Sequence, residues 1–171
     1  MRTVKVCRFT CLVAAAGAAL FTLSGCDRGR EPVDSTLTEV APSTQAKPGW
    51  ITSYEQGQQE AKASNKLVLL DFTGSDWCGW CKLLDKEIFS QPEFKAYAGK
   101  HLVLVEVDFP RMKEIAAATK VQNERLAIKY RVQGFPTIIV LNGDGKKVAE
   151  FGYMQGGPAA FIAELEKLRK S

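Results

Sequence analysis

The stretch Trp77-Cys78-Gly79-Trp80-Cys81 constrains this chain more than any other. Two cysteines three apart at the start of a helix share one face, about a turn from each other. Their sulfurs then come close enough for a disulfide, which needs Cα atoms about 4.4–6.8 Å apart. Such a pair can pass between dithiol and disulfide with little backbone motion. Before it runs Lys66-Leu67-Val68-Leu69-Leu70-Asp71-Phe72, a short apolar run that reads as a buried strand. After it runs Lys82-Leu83-Leu84-Asp85-Lys86-Glu87-Ile88-Phe89, with apolar residues at helical spacing. Strand, Cys-x-x-Cys, helix is the setting in which this motif reads as redox-active rather than metal-binding.

The other cysteines leave the pair alone in the folded part. Of five, Cys7 and Cys11 fall in an N-terminal segment that reads as a signal peptide, and Cys26 at its cleavage point. A secreted domain with only Cys78 and Cys81 has no structural disulfide framework, so the pair is free for chemistry. A stable structural disulfide is the bland alternative, but it would close a loop too small to stabilise much. A metal site would need two more ligands, and the mature chain offers one histidine, His101, and no third folded cysteine. His101 begins a strand and is assigned no role. The net charge of +4 includes Arg2, Lys5 and Arg8 of the segment expected to be removed. The remainder mixes both signs and predicts no nucleic-acid partner.

Residues 1–25 have the three parts of a signal peptide: a basic start, an apolar middle from Phe9 to Leu23, and Leu23-Ser24-Gly25-Cys26. The apolar part is shorter than the roughly 20 residues of a membrane span. Leu-Ser-Gly-Cys resembles the bacterial lipobox, which implies that Cys26 is lipidated and becomes the first mature residue. An ordinary signal cleaved nearby and an uncleaved anchor are the alternatives. Asp27 follows; in enterobacterial lipoproteins aspartate there goes with retention at the inner membrane. This places the protein in a bacterial cell envelope, on the periplasmic side. Residues 26–49 are rich in Pro, Ser, Thr and charge and read as a flexible linker.

The domain is expected over 50–171. A helix over 53–65 is capped by Ser53, and a strand over 67–72 leads through Thr73-Gly74-Ser75-Asp76 to the motif helix. Gln91-Pro92 breaks that helix; another follows over 92–98, with Gly99 ending it. A strand spans 101–108. Pro110 opens a helical stretch to about Lys120, and a further helix covers 123–131, with Leu126, Ile128 and Tyr130 as core contacts. Gly134-Phe135-Pro136-Thr137 leads into the strand 138–141. Asn142-Gly143-Asp144-Gly145 is a hairpin turn, and 146–151 the return strand. Pro158 to Arg169 closes as an amphipathic helix, with Phe161, Ile162, Leu165 and Leu168 inward. Parallel strands linked by helices, then an antiparallel hairpin, predict an α/β fold of three layers, α/β/α, around a mixed sheet.

This order, with Trp-Cys-x-x-Cys after the first buried strand and Phe-Pro-Thr before the hairpin, resembles the thioredoxin family over about residues 50–170. The resemblance implies a thiol–disulfide oxidoreductase with the thioredoxin fold. Cys78 matches the exposed nucleophile and Cys81 the buried resolving thiol. Pro136 matches the proline after a cis peptide bond that lies opposite the disulfide and helps to hold substrate chain. Asp71 resembles the buried aspartate that assists proton transfer at the second cysteine. The sequence departs from the family in four places. The loop from Asp71 to Cys78 is one residue longer. Leu104 stands where thioredoxins place a lysine near the aspartate. Gly79-Trp80 replaces the Gly-Pro of thioredoxins and the Gly-His of disulfide isomerases. An extra helical insertion is expected near Phe109 to Gln122.

A thiolate is the species that attacks a disulfide, and a helix N-terminus favours it at Cys78, below the free thiol's pKa of about 8.5. Cys81 resolves the mixed disulfide from one turn away. Asp71 reads either as the base for Cys81 or as a strand-end residue facing solvent or capping the loop. Trp77 and Trp80 read as apolar surface for an unfolded client, with simple packing beside the motif as the other reading for Trp77. Gly79, Phe135 and Pro136 complete the expected client surface. The reaction needs no cofactor. The expected partners are exported proteins with cysteines or disulfides, and a membrane thiol donor of electrons. The protein is taken as a monomer. A non-catalytic module using the same fold to hold a partner is the competing reading.

Overall fold

The structure is a computed structural model that describes residues 46–170. The expected signal peptide, Cys26 and most of the 26–49 linker lie outside the described residues. Helix α1 (Tyr54–Ser64) comes first, with Ser53 Oγ accepting from the Gln56 N–H and Asn65 ending it in the left-handed region. Strand β1 (Leu67–Thr73) follows, then α2 (Gly79–Leu84), which runs on into a π-helical turn, Asp85–Phe89. Next come α3 (Pro92–His101), β2 (Leu102–Asp108), α4 (Ala117–Tyr130), the hairpin β3 (Thr137–Leu141) and β4 (Lys147–Phe151), and α5 (Gly157–Lys170). No helix among the described residues is long and apolar enough to cross a membrane.

The strands form one sheet in the order β2-β1-β3-β4. β1 pairs parallel to β2 and antiparallel to β3, and β3 pairs antiparallel to β4. Alternation along β1 divides the core in two. Val68, Leu70 and Phe72 pack with Ala61 of α1 and with Leu126 and Tyr130 of α4. Leu69 faces the other way, into Leu84, Ile88, Phe89, Phe94, Phe161 and Leu165 of α2, the π turn, α3 and α5. Helices on both faces of a mixed sheet give the expected three-layer thioredoxin fold. The hairpin closes as expected, with Asn142 N donating to Lys146 O and Gly145 at φ 78°.

Four local expectations are corrected. Residues 109–116 are not helical; one helix begins at Ala117 and runs through Asn123 to Tyr130. The cause lies in the loop before the motif: the Asp76 carboxylate accepts the backbone N–H groups of Arg111, Met112 and Lys113, which spreads them around one anion. Ile128 is 78% exposed rather than a core contact, because Leu126 and Tyr130 already take the inward face one turn apart. Gly99 lies inside α3, which extends to His101, so His101 ends a helix and does not begin the strand.

The segment before α1 is built into the sheet edge. Ile51 bridges Val105 in parallel, with Ile51 N donating to Leu104 O and Glu106 N to Ile51 O. Trp50 N donates back to Lys47 O, and Gly49 sits at φ 82°. Lys47-Pro48-Gly49-Trp50 thus has the Pro-Gly centre of a type II turn. Trp50 is buried with its ring 5.1 Å from that of Phe89.

Candidate active site

Thr73 ends β1, and the chain then makes a compact turn. The Gly74 carbonyl accepts from Trp77 N at 3.2 Å and from Cys78 N at 2.8 Å. This turn delivers Cys78 to the N-cap of α2. Cys78 and Cys81 are joined as a disulfide with Cα atoms 5.3 Å apart. The Cys81 N–H donates to Cys78 Sγ at 3.2 Å. An N-cap sulfur that accepts a helix N–H is placed to carry negative charge. Cys81 is buried as expected, but Cys78, implied by the resemblance to be exposed, is only 6% exposed in the disulfide form.

The Phe135–Pro136 peptide bond is cis. Phe135 meets the Trp77 ring edge-on at 5.8 Å and the Phe109 ring at 5.2 Å. Trp77 donates its Nε1–H to Phe109 O at 2.8 Å, and the Arg111 guanidinium lies 3.8 Å over its ring. Trp77 is therefore a packed wall of the site. Trp80 is 61% exposed, and its ring rests 5.3 Å from that of Tyr153, whose hydroxyl donates to Glu87. A Cβ added at Gly79 would meet open space, whereas one at Gly74 would lie 2.4 Å from the Trp77 ring.

Asp71 is 2% exposed, so it does not face solvent. It shares its side of β1 with Leu69, the side that α2 covers. Its Oδ2 pairs with Lys47 Nζ at 3.2 Å, and its Oδ1 has no hydrogen-bond partner among the described residues. Lys47 Nζ also reaches Asp85 at 3.1 Å and Glu106 at 3.5 Å, and lies 4.5 Å over the Trp50 ring. Asp85 is four residues after Cys81, hence one turn along the same face of the helix. Burial raises the Asp71 pKa from 3.8 to about 6, with Lys47 opposing the rise. Burial likewise raises Glu106, again opposed by Lys47. Burial acts to lower the Lys47 pKa, but Asp71, Glu106 and Asp85 together outweigh it and raise it.

A second acid anchors the loop. Asp108 accepts from Ser75 N at 2.9 Å and Ser75 Oγ at 2.7 Å, and pairs with Lys113 at 2.8 Å. It ties the turn before the motif to the 109–116 loop. Burial acts to raise the Asp76 pKa, but the N–H groups of Met112, Arg111 and Lys113 prevail and lower it.

The structure thus brings together Cys78, Cys81, Trp77, Gly79 and Trp80, and sets Phe135 against Trp77, with Pro136 following Phe135 across the cis bond. Sequence reasoning missed Gly74, Asp108 and Tyr153, and above all Lys47. The Leu104 position does lack the lysine of thioredoxins; the cation arrives from the chain before Trp50. The readable signal was Lys47-Pro48-Gly49-Trp50 itself, a turn followed by a large aromatic.

A family profile for a thioredoxin-like domain matches residues 54–169. The Chlamydia pneumoniae protein named disulfide bond reductase DsbH is 35% identical over 157 residues, covering 92% of this chain and 94% of that protein. The thiol:disulfide interchange protein DsbD of Pasteurella multocida is 33% identical over 123 residues, which is 70% of this chain and 19% of that protein. A solved structure named DsbH oxidoreductase matches with TM-score 0.67 at 32% identity, covering 86% of this chain and 95% of that one. A thioredoxin from Thermus thermophilus, 20% identical with TM-score 0.52 over 70% of this chain and 85% of that one, is alike in fold alone.

Proposed function

Since the chain belongs to the thioredoxin-like family and is a thiol–disulfide oxidoreductase, we propose that it serves as a reductase of disulfides in exported proteins. The observation that carries this is the Cys78 Sγ at the N-cap of α2, bonded to Cys81 and facing its N–H. The neutral pair Gly79-Trp80 adds no charge to the thiolate. The name of the Chlamydia pneumoniae relative favours the reductive direction.

In the reduced protein, the Cys78 thiolate attacks one sulfur of a client disulfide. A Cys78–client bond forms, the client S–S bond breaks, and the first client thiolate leaves and takes a proton from water. Cys81 then gives its thiol proton to Asp71 Oδ1 and attacks Cys78 Sγ. The Cys78–Cys81 bond forms, the mixed disulfide breaks, and the second client sulfur leaves as a thiolate. The client has gained two electrons, and the protein is left in the disulfide form. A thiol donor must return two electrons, and we assign that to a membrane partner. Trp77, Gly79, Trp80, Phe135 and Pro136 form the surface that holds the client chain. Lipidation at Cys26 keeps the domain at the envelope membrane, on the periplasmic side, with Asp27 favouring the inner membrane.

Insulin reduction driven by dithiothreitol tests the reading. The protein accelerates it, and Cys78→Ser abolishes the acceleration. Cys81→Ser accumulates mixed disulfides on non-reducing gels where Cys78→Ser does not. Equal trapping by the two variants contradicts the order of attack.

A further inference from the structure

Three buried or half-buried carboxylates, Asp71, Asp85 and Glu106, converge on one ammonium, and that ammonium comes from the segment before the sheet. We propose that Lys47 is a positioning residue of the redox site, holding Asp71 ready to accept the Cys81 proton. The Lys47–Trp50 turn is then a working part of the site and not the end of a tether. The inference rests on the reading of Asp71 as the base.

The placement of Lys47 is determined at several points. Its carbonyl closes the turn with Trp50 N, and the Ile51–Val105 bridge fixes the chain just beyond. Trp50 anchors the turn by burying its ring against Phe89, a residue of the same π turn that carries Asp85. The Lys47 ammonium lies over the Trp50 ring at 4.5 Å and the Phe89 ring at 5.6 Å. It takes Asp71 by Oδ2 and leaves Oδ1 without a partner among the described residues. One oxygen is thus held and the other kept for a proton.

The charges around Asp71 explain why the cation matters. Glu106 lies opposite it on β2, Asp85 faces it from the π turn, and Lys47 is the cation bridging all three. Asp108, two residues further along β2 on the same face, and Lys113 also act on Glu106, the first raising and the second lowering its pKa. Without Lys47, a buried carboxylate would face two more carboxylates, and protonation of Asp71 would relieve the repulsion. A protonated Asp71 cannot receive the Cys81 proton. The same dependence runs in reverse: the charge on Asp71 helps to keep the turn docked. The chain leading to the domain and the redox site are coupled through one side chain.

The test uses the full-length chain with Lys47→Met, Lys47→Arg and Asp71→Asn. The first readout is the carboxyl resonance of Asp71, titrated by carbon NMR. The second is the pH profile of the release step, followed as decay of a mixed disulfide between Cys78 and a chromogenic peptide. In Lys47→Met the Asp71 titration moves up by at least about one pH unit, and release below it slows about tenfold. Lys47→Arg restores both toward the parent, because a cation is returned. Asp71→Asn removes that limb of the profile. An Asp71 titration unmoved in Lys47→Met, with release lost in Asp71→Asn, overturns the inference alone. An unchanged release profile in Asp71→Asn overturns the base reading and the inference with it.

Discussion

Asp71 and Glu106 stand opposite each other on the parallel pair β1–β2, 2% and 3% exposed, and share the Lys47 ammonium. Two such acids on one buried face cost stability when both are charged. Burial is the larger effect on Asp71, and its pKa rises from 3.8 to about 6. An acid raised on folding binds its proton more tightly in the native state than in the unfolded one. Stability from this group is therefore greatest below pH about 4 and falls as pH rises through about 6.

Asp71→Asn, which imitates the protonated acid, is predicted to stabilise the oxidised protein at pH 7. The gain is at most about 3 kcal/mol, from roughly two units of raised pKa. Lys47 keeps Asp85 and Glu106 as partners in the variant. Urea unfolding at pH 7 and pH 4 checks this: the gain appears at pH 7 and vanishes at pH 4. A variant less stable than the parent at pH 7 contradicts it.

Gly74→Ala should disrupt the site without touching a cysteine. The new Cβ would fall 2.4 Å from the Trp77 ring, which is pinned by Phe109 O, Phe135 and Arg111. Relief requires moving Trp77 and the turn that delivers Cys78. The expected cost is about 1–3 kcal/mol in stability, with a changed near-ultraviolet circular dichroism signal and slower insulin reduction. An unchanged spectrum and rate would show that the turn absorbs the methyl group.

What the sequence displayed and what it hid divide along chain distance. β1, the motif helix and the hairpin were legible because each is written in neighbouring residues: an apolar run, a Cys-x-x-Cys, an Asn-Gly-Asp-Gly. Leu126 and Tyr130 were likewise visible as inward residues, whereas Ile128, two positions from each, was misplaced in the core because its apolar side chain outweighed the helical period. The 109–116 loop was misread because Pro110 resembles a helix start, while the group that unwinds it, Asp76, lies 35 to 37 residues away. Lys47 was hidden for the same reason. Its partners Asp71 and Asp85 are 24 and 38 residues on, and its neighbours are those of a linker. Local patterns carry the frame; the electrostatics of the site depend on pairs that only the fold brings together.

Trp80 is predicted to matter for protein clients and little for small thiols. Its exposed ring is held against Tyr153, and Tyr153 against Glu87. Trp80→Ala removes a rigid apolar shelf, a loss of about 1 kcal/mol, seen as a roughly fivefold rise in KM for an unfolded disulfide protein. Exchange with glutathione should stay within twofold of the parent. An equal loss toward both would assign Trp80 to the chemistry instead.

The reduction potential of the Cys78–Cys81 pair separates a catalyst that works from its reduced state from an oxidant. The thiolate of Cys78 is favoured by the α2 N-terminus and the Cys81 N–H, while Gly79 and Trp80 contribute no charge. Asp76 directs its carboxylate to the 111–113 backbone and offers the sulfur no positive partner. Moderate stabilisation of the reduced form places the pair on the reducing-to-intermediate side, at about −270 to −180 mV. Equilibration with glutathione, followed by the fluorescence of Trp77 and Trp80 beside the disulfide, measures it. A value in that range supports a reductase or isomerase that a thiol donor keeps reduced. A value near the oxidant's potential of about −120 mV contradicts it.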